Sequence, residues 1–372
     1  MEEKQEWQLL KIFEELEDPR RSSGNYRYPL MDIVFLTLTG VVCSAREWTE
    51  IEEFGHSQLD WLRQYRPFEN GIPSHDTLSR VFGALNGEQF ERLFSDWTQS
   101  LAELLPGEVI PIDGKMIRGS LDKANGKSAI HLVSAFASAQ NLVLGQTKVD
   151  EKSNEITAIP ILLDRLMLAG CTVTIDAMGT QRAIAQQIIE QEANYVLSLK
   201  ENQATLLKEV VKVFEVMPSE AIVEQTQADH GRIEQRRVEV LQDLRFLDEA
   251  IHWEGLASIV RVQTRRSAKA YPDQPEQTQV RYYISSLTDA EAIAKAIRTH
   301  WYIENKVHWI LDVQFGEDAQ RKRAGNSAQN FAILERVALN LLREETSLKR
   351  GIKAKRLKAG WDQQYRKKVL QI

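Results

Sequence analysis

The sequence predicts an α/β protein, a mixed or parallel sheet with covered faces preceded by an all-helical region. Three observations carry this prediction. Apolar residues recur at helical spacing through the first hundred positions. Beyond Leu105-Pro106-Gly107, short β-rich runs alternate with helical segments, the pattern of strands joined by crossover helices. A charged, β-alternating stretch then interrupts that alternation before the chain returns to helix. At 372 residues the chain exceeds what one compact core usually absorbs. The expected parts are a helical region at 1–105, an α/β core at 106–345 interrupted by a β-rich insertion at about 205–287, and a basic tail at 346–372.

The expected helices of the first part run from Trp7 to Leu16, Leu30 to Cys43, Trp48 to Phe54 and Gln89 to Leu105. Between them, Ile72-Pro73-Ser74-His75-Asp76-Thr77 offers Ser74 as a helix cap and places short polar side chains on the first turn. That turn suits either a groove-reading helix or an ordinary capped core helix. Strands are expected at Val109 to Asp113, His131 to Ala137, Leu142 to Val149, Thr172 to Asp176 and Tyr195 to Leu199. Helices at Glu155 to Leu168 and Arg182 to Gln191 separate the later ones. The stretch from Thr205 to Arg281 opens with a short helix and becomes β-alternating, as in Ala257-Ser258-Ile259-Val260-Arg261-Val262, which reads as an antiparallel insertion. Thr288-Asp289-Ala290-Glu291 is a capping-box sequence with Thr288 as the expected cap of a last long helix.

Composition narrows the class. With 43% hydrophobic and 27% charged residues, 19 Gly and 10 Pro, the chain is globular rather than disordered or fibrous. Cys43 and Cys171 lie far apart in apolar stretches, so no cysteine metal site is expected and a reducing, cytoplasmic setting is. The longest apolar run, Pro29 to Cys43, is interrupted by Asp32 and shorter than a membrane span, so no membrane role is expected. The net charge of -6 hides an asymmetry: Lys349 to Ile372 sums to +8 and the rest of the chain to -14. Lys353, Lys355, Arg356 and Lys358, near Trp361 and Tyr365, suit phosphate contact with base stacking, and equally a solvated tail.

Two strands deliver an aspartate at their carboxyl ends, in Ile110-Pro111-Ile112-Asp113-Gly114 and Thr174-Ile175-Asp176-Ala177. Ligand sites of α/β sheets form at that end, although a lone aspartate there also serves as a turn former. A third acid lies on the last long helix, where Ile293, Ile297, Trp301, Glu304, His308 and Leu311 draw one stripe. A carboxylate on an apolar stripe needs a partner. If that stripe packs beside the two strand ends, three like charges gather, and divalent cations make this tolerable. With oxygen ligands the natural occupants are Mg²⁺ or Mn²⁺, expected as a pair of ions, a site that acts on phosphodiesters. Lys200 and Asn202, in the turn after Tyr195 to Leu199, could hold a phosphate nearby.

These residues resemble a known family. Ile112-Asp113-Gly114-Lys115, the run Lys152-Ser153-Asn154-Glu155-Ile156, Asp176-Ala177-Met178-Gly179-Thr180-Gln181 and His300-Trp301-Tyr302-Ile303-Glu304-Asn305 are similar to the H-repeat-associated DDE transposases of bacterial insertion sequences (the ISAs group). Asp18-Pro19-Arg20 and Ile72-Pro73-Ser74-His75 resemble the domain that precedes the catalytic core there. The likeness spans about residues 8 to 345. It implies a ribonuclease-H-like mixed sheet flanked by helices, with the DDE triad at Asp113, Asp176 and Glu304 as catalytic and metal-binding residues. Their spacings of 63 and 128 residues leave room for the β-rich insertion. It also implies DNA as partner, both terminal inverted repeats and target, and a homodimer or larger assembly on DNA. Related enzymes often carry Arg four residues before the third acid and Lys seven after it. Here those places hold His300 and Leu311, so His300 is the remaining candidate for a DNA contact.

Other chemistries fare worse. Asn125-Gly126-Lys127-Ser128 resembles a phosphate-loop tail, but Leu121 stands where the first glycine is required. Asp312, Glu317 and Asp318 are alternative third acids, the first off the helix stripe and the others beyond Gly316. His308 reads either as a metal partner of Glu304 or as a hydrogen-bonded stripe residue. The expected function is metal-dependent cleavage at transposon ends with strand transfer into target DNA. The alternatives are a transposition-inactive DNA-binding relative and a metal-dependent DNA nuclease.

Overall fold

A computed structural model describes residues 8–20, 26–150, 153–229, 232–268 and 276–372. Trp7, expected to open the first helix, and Lys152, in the segment carrying the resemblance, lie outside the described residues. The first hundred positions are helical as expected: α1 Gln8–Phe13, α2 Leu30–Val42, α3 Trp48–Leu62, α4 His75–Ala84 and α5 Gly87–Leu101. Every residue of α2 is buried, which is what an apolar circumference dictates. Its one acid, Asp32, accepts from Arg66 Nε and the Phe68 amide at 3.1 Å each. Ser74 caps α4 by accepting from the Thr77 amide, and Leu78, Val81 and Phe82 form its buried face.

Among the described residues the sheet has nine strands in the order β3-β2-β1-β4-β5-β9-β8-β7-β6. Its first half contains β1 Val109–Ile117, β2 Ile130–Ala137, β3 Leu142–Lys148, β4 Thr172–Ile175 and β5 Asn194–Leu199. Here β1 to β3 form an antiparallel meander, and β1, β4 and β5 run parallel. The parallel steps are possible because α6 Glu155–Leu163 and α7 Arg182–Glu190 supply the crossovers. This is a mixed sheet flanked by helices, as the resemblance implied.

The insertion is α8 Ala204–Val216 followed by β6 Ala221–Asp229, β7 Arg232–Leu241, β8 Ser258–Ala268 and β9 Gln277–Ser285. All four strands are antiparallel neighbours, and β9 pairs with β5 from Val196↔Ser285 to Leu199↔Tyr282. The insertion therefore lengthens the core sheet instead of standing beside it. Next comes α9 Ala290–Ile303, whose cap is Asp289, accepting from the Ala292 amide, and not Thr288 as expected. The Asp289 carboxylate accepts from the third amide of the helix, so the helix begins one residue later.

One face of the sheet buries Ile110, Val173, Tyr195 and Leu197 against α6, α7 and α8. The other buries Val109, Val196, Val260 and Val262 against Ile293, Ala296 and Ile297 of α9. The helix α10 Ser327–Glu344, within the segment expected to complete the α/β core, also sits in the helical core with Phe35, Phe82 and Phe94. Each such buried side chain is worth about 1.5–3 kcal/mol, so α10 ties the two regions together.

The basic tail folds as α11 Ile352–Trp361 and α12 Gln363–Leu370 against the same helical core. This corrects the expected use of two of its cations. Lys355 is buried and donates to the carbonyls of Leu342, at 2.8 Å, and Glu345. Arg356, 2% exposed, donates to the Val41 carbonyl at 2.7 Å and to that of Gln314. The ends of α2 and α10 present carbonyls without intrahelical partners, and these buried cations satisfy them, which leaves neither a face for a phosphate. Lys353 is exposed, and Lys358 is half-buried with its ammonium 4.7 Å over the Tyr365 ring.

Candidate functional site

The parallel pairing of β1 with β4 ends at Ile112↔Ile175. Asp176 follows directly on the end of β4, whereas Asp113, expected to end its strand, lies in the middle of β1, which continues to Ile117 paired with β2. The two acids are neighbours because both stand where the parallel pairing stops. Asp176 opens a tight turn in which its Oδ1 accepts from the amides of Met178 and Gly179 at 3.0 and 3.4 Å. Gly179 is required there, because a Cβ would meet Ile175 Cγ2 at 2.4 Å and Ile159 Cδ1 at 2.7 Å. Asn202, expected to contact phosphate, instead donates to the Ala177 carbonyl at 2.6 Å and holds this turn in place. Lys200 is exposed and lines the cavity above the acids.

The third acid arrives from α9, which ends at Ile303 and continues as a π-turn over Glu304–His308. Glu304, expected on a buried stripe, is instead exposed with its carboxylate in the cavity, as Trp301 one turn earlier already is, and the i→i+5 turn that begins at Glu304 carries His308 inward. Trp301, also on the expected apolar stripe, is 44% exposed at the cavity mouth. The predicted partner for the carboxylate exists: His308 Nδ1 lies 3.2 Å from Glu304 Oε2 and 3.5 Å from Asp113 Oδ2.

Asp113, Glu304 and His308 each place a ligand atom within 4.8 Å of the others. Asp176 is not part of that group but lines the same cavity of about 640 Å³. Burial, chiefly, raises the Asp113 carboxyl to about 6; Glu155 and Asp176 push it further and His308 opposes them. The hydrogen bond with His308 holds Glu304 below its usual range. The Nε2 of His308 is buried without a partner among the described residues. A mixed carboxylate and imidazole donor set, one orphaned ring nitrogen and a carboxyl strained by its acidic neighbours fit a divalent cation.

Burial brings His300 down to about 4, so it is neutral at neutral pH, with Nδ1 3.0 Å from Thr174 Oγ1 on β4. Its ring lines the cavity from behind the acids. The alternative third acids serve elsewhere. Lys115 Nζ meets Asp312 and, at 2.7 Å, Glu317, and Arg336 Nη1 meets the other Glu317 oxygen at 2.5 Å. Asp318 accepts from the Arg118 amide. The same Lys115 Nζ lies 3.5 Å from the His308 carbonyl, so this network anchors the π-turn to β1. Sequence reasoning gave Lys115 no role. Its place two residues after Asp113 on an alternating strand was the available signal, since it puts both on one face.

Residues 105–341 match the family described as Transposase DDE domain, and residues 10–98 match its associated domain, described as DDE_Tnp_1-associated. The transposase-named protein YncI of Escherichia coli O157:H7 is 43% identical over 94% of this chain and 91% of its own length. The H repeat-associated protein YhhI of Escherichia coli strain K12, also named a transposase, is 40% identical over 94% of each chain. Among solved structures, the piggyBac transposase synaptic complex with hairpin DNA aligns at a TM-score of 0.45 and 12% identity, covering 98% of this chain and 78% of that one.

Proposed function

This chain belongs to the DDE transposase family, and from that premise we propose that it cuts DNA at the ends of an insertion sequence and joins the freed 3′ hydroxyl to target DNA. The observation that carries the reading is that Asp113, Asp176 and Glu304 line one open cavity, with the buried His308 within ligand distance of Asp113 and Glu304. Asp113, Asp176 and Glu304 would hold the divalent cations, Mg²⁺ or Mn²⁺ and expected as a pair. Such a pair raises the reactivity of a water or 3′ hydroxyl and stabilises the leaving oxygen of an in-line displacement.

The remaining residues position and exclude. His308 orients Glu304 and Asp113 through Nδ1, as partners of ligating carboxylates do. Neutral His300 braces Thr174 at the end of β4, and Asn202 fixes the turn that carries Asp176. Lys200, free at the cavity rim, meets the phosphate beside the scissile one. Lys353 and Lys358 remain the tail's candidates for DNA contact. Two ends must be cut in concert, so the working form is a dimer or larger on DNA. Among the described residues no helix is long and apolar enough to cross a membrane. Action on a bacterial insertion sequence would place the protein in the cytoplasm, on nucleoid DNA.

Cleavage of end-bearing DNA with Mg²⁺ tests the reading. Wild type is expected to cut, and Asp113→Asn, Asp176→Asn and Glu304→Gln are each expected to bind the DNA without cutting it. Binding without cutting by wild type would support the transposition-inactive relative instead. Cutting without preference for repeat ends over random duplex would support the nuclease.

A further inference from the structure

The cavity that holds the acids does not end at Trp301. Arg281, Tyr283 and Trp301 line it and also line a second groove that runs across the outer strands of the sheet. Three more guanidinium groups stand along that groove: Arg236 on β7, Arg266 on β8 and Arg298 on α9. Cross-strand pairing sets two of them in place, with Arg236 opposite Thr264 and Arg266 opposite Gln277. Glu234 pairs with both Arg236 and Arg266, the latter at 2.6 Å. Among the described residues no carboxylate comes within ion-pair distance of Arg281 or Arg298. Arg281 lies 5.1 Å over the Trp301 ring and donates to Gln279 at 3.2 Å, and Arg298 donates to Gln227.

Four guanidiniums around a single carboxylate leave an excess of positive charge in a partly desolvated trough. After burial, repulsion from Arg298 and Arg266 holds Arg236 below its ordinary value despite Glu234. Such a group is stabilised by an anion, and guanidinium matches phosphate geometry in particular. A row of fixed cations continuous with a phosphodiester-cleaving cavity suits a ligand that repeats its phosphates along a line. We infer that the groove formed by Arg236, Arg266, Arg281 and Arg298 carries the DNA backbone leading away from the scissile phosphodiester. The inference rests on the proposed transposase function and goes beyond it, because it gives the β-rich insertion a role of its own. The strands that lengthen the sheet form the track for the flanking DNA.

The test measures affinity for a fluorescein-labelled random-sequence duplex against salt concentration, since phosphate contacts carry no sequence information. Each lost phosphate contact flattens the slope of log K against log salt by about 0.9. The double variant Arg281→Ala/Arg298→Ala is expected to lose roughly 1.8 from the slope, and Arg281→Lys/Arg298→Lys to recover most of it. Arg266→Glu, at an exposed position, should lower the slope and weaken binding at least tenfold without disturbing the fold, which a thermal melt checks. Unchanged slope and affinity in a folded double variant, or in Arg266→Glu, would overturn the inference. Cutting by wild type reports separately on the parent reading. A flattened slope in a protein that never cuts keeps the groove and removes the enzyme; an unchanged slope in a protein that cuts does the reverse.

Discussion

Replacing Glu317 by Gln is the perturbation with the clearest magnitude. Its side chain is wholly buried, and its two oxygens each meet a buried cation, Lys115 Nζ at 2.7 Å and Arg336 Nη1 at 2.5 Å. Burial alone would push the carboxyl up, but Arg336 and Lys115 bring it down to about 2. Its stabilising contribution is therefore full above the ordinary carboxylate range and is lost as pH falls toward 2. Removing one partner of a buried ion pair costs about 3–5 kcal/mol because the surviving charge stays buried and uncompensated. Here Arg336 loses its only ion-paired carboxylate among the described residues, whereas Lys115 keeps the half-exposed Asp312. Glu317→Gln is thus expected to destabilise by about 3–5 kcal/mol at neutral pH, and Asp312→Asn by about 1 kcal/mol or less. Urea unfolding followed by tryptophan fluorescence reads this as a fall in midpoint of roughly 1 M for the first variant and little for the second. Because Lys115 also reaches the His308 carbonyl, surviving Glu317→Gln should cut DNA more slowly. Equal, small midpoint shifts in the two variants would refute the reasoning.

Other consequences follow from the same geometry. Burial and the nearby Glu317 hold the Glu335 carboxyl up at about 8. It keeps its proton in the folded protein while the unfolded chain has released it, so its contribution to stability falls as pH rises from about 4.5 to 8. Glu335→Gln should remove that slope and be more stable than wild type at pH 8, as pH-dependent urea midpoints would show. Arg356→Ala should cost about 1–3 kcal/mol by removing its bonds to the Val41 and Gln314 carbonyls, which keep only the Ser44 amide and Arg46 Nη2 as donors, and limited proteolysis should then release α11 and α12. Asn202→Ala should slow cleavage by roughly tenfold by loosening the Asp176 turn, with DNA affinity unchanged in an anisotropy titration.

The parts of this protein that were legible in the sequence are those fixed by local pattern. Apolar runs leading to Asp113 and Asp176 announced two strands; the strand end held at Asp176 but not at Asp113, since β1 continues to Ile117 along β2, and the parallel register of β1 with β4 made the two acids neighbours. Glu304 was found through a stripe that assumes an unbroken α-helix. That stripe put both Glu304 and His308 on a buried face, and the structure buries His308 but leaves Glu304 exposed at the start of a π-turn. No period in the sequence announces such a turn, which is held by the distant Lys115 and Glu317. Lys355 and Arg356 misled for a related reason. Composition marks cations as solvated, and their burial depends on carbonyls such as Val41, 315 residues away in sequence. The union of the insertion with the core was equally hidden, since the pairing of β5 with β9 joins segments separated by the whole insertion.

The account turns on Asp113, Asp176 and Glu304 sharing bound metal, and iron-directed backbone cleavage measures this without DNA or catalysis. With Fe²⁺ in the site, ascorbate and peroxide generate hydroxyl radicals that cut the chain next to the ion. Cuts are expected near Asp113, Asp176 and Glu304, suppressed by excess Mg²⁺ and weakened in Asp113→Asn. Cuts absent from these positions, or unchanged in Asp113→Asn, would contradict the account.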